Sequence, residues 1–83
     1  MDTIYLNDYL DNKIIKENSF RKKIDQTNWE KYSGKKVLIK GCADAPIPTW
    51  AYMIITGKLT KYAEGIYFGE PCSAIKIYKK IND

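Results

Sequence analysis

The sequence predicts a small α/β domain: a two-layer or three-layer βαβ-containing fold with a mixed sheet, whose central parallel strands are joined by a buried helix. Three observations predict it. The run KKVLIKGC (35–42) carries Val37, Leu38 and Ile39 in succession, apolar on both faces, as a strand covered on both sides requires. The segment TWAYMIITGKLTKYA (49–63) follows the loop ADAPIP and places apolar residues at helical spacing. GIYFG (65–69) then supplies a second apolar strand, and a helical crossover between two such strands favours a parallel, right-handed connection.

The elements can be justified in order. Thr3 to Leu10 (TIYLNDYL) alternates briefly before Asn7 and Asp8 interrupt it, which suits a short edge strand or an extended arm. Asp11, Asn12 and Lys13 form a turn. Ser19 then reads as a helix cap, with Lys22 where a capping box would place Glu. Phe20, Ile24 and Trp29 mark the inner face of a short amphipathic helix whose outer face carries Arg21, Lys22, Lys23, Asp25 and Gln26. Asn28 caps a further turn, WEKY, which stops at Ser33-Gly34, and Trp29 and Tyr32 cover the start of the next strand.

In the second helix Ala51, Ile55, Leu59 and Tyr62 form one stripe, and Trp50, Met53, Ile54 and Gly57 an adjacent one, so the helix is expected to bury a wide face. Gly57 costs about 1 kcal/mol against alanine in a helix interior. Close contact with a strand or a second helix is expected to compensate. Glu70-Pro71 ends the second strand, and SAIKIYKK alternates Ile75 and Ile77 against Lys76 and Tyr78, as an antiparallel edge strand with lysines discouraging further pairing does.

With 83 residues there is room for a single domain over 1–83. Its 45% hydrophobic and 29% charged residues exclude a disordered chain. Seven tyrosines and a small core both point to pairing, so a homodimer is the expected state. Net charge is +4 with the lysines spread along the chain and a single arginine, which argues against nucleic acid. Lys35, Lys36, Lys40, Lys76, Lys79 and Lys80 with Tyr67 and Tyr78 read first as a solvated edge, and otherwise as a basic face of the kind single-stranded nucleic-acid binders use. Two cysteines and no basic leader point to a reduced cytoplasmic protein, and no apolar run approaches the ~18 residues of a membrane span.

Neither a complete catalytic motif nor a cofactor motif is present. If the strand-helix-strand unit forms, Cys42, Asp44, Glu70 and Cys72 fall at the carboxyl ends of two parallel strands, beside the helix that Thr49 opens, where ligands usually sit. Four readings stay open there. The residues can simply pack and end their strands. They can frame a pocket for a small anion at loop amides and the helix N-terminus, with the Thr49 hydroxyl. The two thiolates and two carboxylates can hold zinc or a similar metal, although the chain has no His and no Cys-x-x-Cys. Finally Cys42 or Cys72 can act as a nucleophile, with Asp44 or Glu70 replacing the absent histidine base. Packing is the first reading, and of the three functional ones we expect the anion pocket within a binding or assembly module, with a metal-dependent or thiol enzyme as the alternative.

GCADAPIPTWAYM and GEPCS, preceded by FRKKIDQTNWEKYSGKKV, resemble in order and spacing a family of bacterial proteins, domain-of-unknown-function family 2480. The resemblance runs from about Ile14 onward and includes Phe20-Arg21, Trp29 and Pro46 to Thr49. It implies an α/β fold and brings no activity. It also implies longer members with two related strand-helix-strand halves, of which this chain is one half, so that two copies pair to rebuild the arrangement.

Overall fold

The computed structural model describes residues 1–41 and 45–81. Strand β1 (Asp2–Tyr5) leads through a 3-10 turn to helix α1 (Glu17–Gln26), and a second 3-10 turn (Trp29–Tyr32) precedes β2 (Lys36–Lys40). Helix α2 (Thr49–Leu59), β3 (Gly65–Phe68), a turn at Pro71–Ser73 and β4 (Ile75–Lys79) complete the chain. The sheet order is β1-β2-β3-β4, with β1 and β3 both parallel to β2, and β4 antiparallel to β3. The Val-Leu-Ile run is thus a central strand, and the opening residues form an edge strand rather than a free arm.

Two layers are realised, not three. Ile4, Val37, Ile39 and Ile66 from the sheet share one core cluster with Phe20 and Ile24 of α1 and Ala51, Ile55 and Leu59 of α2, so both helices lie on one face. Right-handed crossovers from β1 to β2 and from β2 to β3 step the same way across the sheet, which puts both helices on the same side. Leu38 is 1% exposed yet stands apart from that cluster, because it points to the opposite face between Thr3 and Tyr67 of the neighbouring strands.

Several expectations are corrected by local chemistry. Helix α1 starts at Glu17, ahead of Ser19, and Ser19 caps nothing: its hydroxyl donates to Asp11 Oδ2 at 3.2 Å, tying the first turn to the Asp11–Ile14 bridge. Glu17 supplies the negative charge a helix start favours and pairs with Arg21 at 2.9 Å. Asn28 does cap its turn, accepting from the Glu30 N–H at 3.3 Å, and Gly34 ends it at φ +71°, a left-handed conformation that glycine adopts without strain. The buried Trp29 indole donates to the Ile24 carbonyl at 3.0 Å, closing the end of α1.

Helix α2 buries one stripe, not two. Ala51, Ile55 and Leu59 are fully covered and Tyr62 partly, whereas Trp50, Met53 and Gly57 are exposed and Ile54 is half-buried. For Met53 and Gly57 the cause is lateral. On one flank α2 meets α1, where Trp50 meets Phe20 edge-on at 5.5 Å; over β4, on the other flank, the described residues include no helix. A Cβ at Gly57 would meet nothing within 4 Å, so the described residues supply no compensating contact there. In β4 an irregularity in pairing at Ile66/Tyr67 sets Tyr78 opposite Ile66, and Tyr78 packs against the core instead of alternating outward with Lys76.

Candidate functional site

The carboxyl ends of β2 and β3 lie side by side, as a strand-helix-strand unit requires. The Gly69 N–H donates to the Ile39 carbonyl at 3.3 Å, continuing the pairing past the last strand residues. Just beyond, Lys40 Nζ pairs with Glu70 Oε2 at 3.2 Å across the two strand ends. Both side chains are substantially exposed, so the pair contributes little stability, on the order of 0–1 kcal/mol. It does neutralise Lys40.

Gly41 follows β2 because the Tyr52 hydroxyl of α2 stands where a Cβ would sit, and Tyr52 in turn meets Phe68 edge-on at 5.0 Å. A hollow of about 270 Å³ opens here, lined by Gly41, Ala45, Ile47, Tyr52, Phe68, Gly69 and Glu70. Of the five residues expected at this end, Glu70 lines the hollow. Thr49, the first residue of α2, is exposed and lines a neighbouring groove instead. Cys72 is an exposed free thiol on the Pro71–Ser73 turn. Cys42 and Asp44 lie outside the described residues. Among the described residues no group of three or more Cys, Asp or Glu could hold a metal ion, and no helix is long and apolar enough to cross a membrane.

The larger concavity is one the sequence reading missed. A groove of about 520 Å³ runs between α2 and the β3–β4 side of the sheet, with Thr49, Tyr52, Met53, Thr56 and Gly57 as one wall and Ile39, Phe68 and Ile77 as the floor. None of these side chains is charged. Exposed apolar side chains gather on it: Met53 is 67% exposed, Ile77 52%, and Ile75 stands beside them at 62%. Its signal in the sequence was Met53 and Gly57, two members of the second α2 stripe, which the spacing assigns to the core.

No curated protein and no solved structure matches the chain. A family described as "Protein of unknown function (DUF2480)" matches residues 10–80, which cover both helices, β2, β3 and β4. Since that match spans most of the chain, the protein belongs to the DUF2480 family.

Proposed function

We propose that this protein is a small assembly and binding module that works as a homodimer, with the α2–β4 groove closed by a second copy. The observation that carries the reading is the uncharged groove with Met53, Phe68, Ile75 and Ile77 exposed around it. Contiguous exposed apolar surface of this kind marks interaction sites on small proteins. A second copy is the occupant because a chain of net charge +4 meets itself most cheaply where it carries no cations. The groove also adjoins β4, an edge strand with one free side, so a twofold pairing can bury both at once. A standard interface takes about 800 Å² from each partner, roughly one-seventh of this chain's 5545 Å².

Assembly carries this reading further than anion capture does, because Glu70 already neutralises Lys40 at the strand-end rim. A cytoplasmic setting suits the module, since the exposed Cys72 stays a free thiol in a reducing compartment. Light scattering across a dilution series tests the proposal. The expected mass is twice 9.6 kDa at high concentration, falling to 9.6 kDa for Ile77→Glu and Met53→Glu. A 9.6 kDa particle at every concentration, or a dimer indifferent to both substitutions, overturns it.

A further inference from the structure

With both helices on one side, the opposite face of the sheet is left without a helix among the described residues, and register decides what stands on it. Residues paired directly across strands share a face. Thr3, Leu38, Tyr67 and Lys76 form one row; Lys36, Gly65 and Lys79 form the row beside it; Tyr5 and Lys40 stand on the other side. Two pairs of lysines, Lys36 with Lys40 and Lys76 with Lys79, far apart from each other in sequence, therefore meet on one surface with two tyrosines. From sequence these lysines group as a candidate basic face, with a solvated edge ranked first.

We propose that this open face is a platform for single-stranded nucleic acid, with Tyr5 and Tyr67 stacking on bases and Lys36, Lys76 and Lys79 contacting phosphates. The rings are set for it. A Cβ at Gly65 would meet Tyr67 Cε1 at 3.2 Å and Lys36 Cγ at 3.7 Å, so the Tyr67 ring lies down over the glycine with the Lys36 stem alongside. A ring lying on a sheet turns one π-face outward. Tyr5 is 47% exposed, with Lys40 Nζ 5.9 Å from its ring centre. Strand spacings put Tyr5 and Tyr67 about 12 Å apart, enough for each to take its own base.

Charge has the required sign. Glu64 borders the depression formed by Lys36, Tyr67, Lys76 and Lys79, and Glu70 pairs with Lys40, so four lysines against two carboxylates leave a surplus of two. Flat stacking rings select unpaired bases over a duplex, whose bases are already stacked on one another. An anionic lipid surface would call for an apolar side chain standing out of this face, and Leu38, at its centre, is covered. Tyr78, paired with Tyr67 in the sequence reading of this surface, turns inward, and Tyr5 takes its place.

Fluorescence anisotropy with labelled twelve-nucleotide oligo(U) and oligo(dT), and with a duplex of the same length, tests the proposal at low salt. Single strands should bind, and duplex should bind at least ~10-fold more weakly. Tyr67→Ala should weaken binding about 5- to 100-fold, with Tyr67→Phe restoring it. Changing Lys76 and Lys79 together to Gln should flatten the salt dependence by about 1.4 log units of affinity per log unit of salt, roughly 0.7 for each lost contact. Circular dichroism of each variant checks the fold. Duplex binding as tight as single strand, indifference to Tyr67→Ala in a folded variant, no binding up to ~100 µM protein, or binding to phosphatidylserine vesicles but not to oligonucleotides would each overturn it.

Discussion

Replacing Gly57 by alanine separates what the chain does alone from what it does in pairs. Gly57 sits inside α2, and a Cβ there meets nothing within 4 Å, so the substitution adds a methyl group without a clash and removes the entropy penalty of a helical glycine. Helix propensity puts the gain at about 0.8–1.0 kcal/mol, which raises the melting temperature of a domain this size by roughly 4–8 °C. The same position lines the groove assigned to a second copy, where a partner's side chains would meet the new methyl. Melting curves followed by tryptophan fluorescence across a dilution series give both readings. The full gain should appear where the protein is monomeric and shrink or reverse where it is dimeric. No gain at any dilution refutes the open-space reading of Gly57, and an equal gain at all concentrations refutes the seating of a second copy against it.

Two further perturbations probe the core. Ile55 is fully buried in the stripe that α2 does bury, and Ile55→Ala removes three methylene-sized groups at about 0.8 kcal/mol each plus a cavity term, for a loss of about 3–4 kcal/mol by urea denaturation; a loss below 1 kcal/mol would contradict the placement of α2. Burial, opposed in part by the Thr27 hydroxyl, pushes the Tyr9 phenol above its usual value near 10, and burial followed by Asp2 and Asp8 pushes Tyr32 the same way. Folding favours the neutral phenols, so their contribution is whole below pH ~10 and is lost as pH rises through the folded-state values above it. Melting temperature should therefore fall above pH 10 faster than in Tyr9→Phe, and absorbance titration should show a late-ionising phenol component that shrinks in Tyr9→Phe; a single sharp phenol transition in the folded state would refute this.

Where a residue's role is set by its immediate neighbours in the chain, the sequence was enough to read it. Val37, Leu38 and Ile39 declare a central strand, Asn28 declares a cap two residues ahead of its acceptor bond, and Gly34 declares a left-handed stop. The errors arise where a distant partner decides. Ser19 looks like a cap until Asp11, eight residues away, takes its hydroxyl. Trp50, Met53, Ile54 and Gly57 have the spacing of a buried stripe, but Trp50 stays exposed beside Phe20 of α1, and no described helix covers Met53 and Gly57 over β4. Periodicity measures which residues share a face, not what covers that face. For the site, parallel pairing brings Lys40 and Glu70 together as strand ends should, while Cys72 is carried on a turn of its own and Thr49 faces the larger groove.

Both proposed surfaces descend from one topological fact. When three parallel strands are laid down in spatial order by right-handed crossovers, every connecting helix falls on the same side. The strand added after the last crossover then has no helix of its own, so the apolar side chains of β4 that face the helical layer, Ile75 and Ile77, must find cover outside the chain or stay wet. The bare face has the opposite need: its strands must carry side chains that tolerate water, which is why β2 sets Lys36 and Lys40 there on either side of the covered Leu38. Because the two surfaces lie on opposite sides of one sheet, closing the first leaves the second open. A dimer formed through the α2–β4 groove would present two lysine-tyrosine faces, and a single strand long enough to reach both would bind more tightly than its contacts with either.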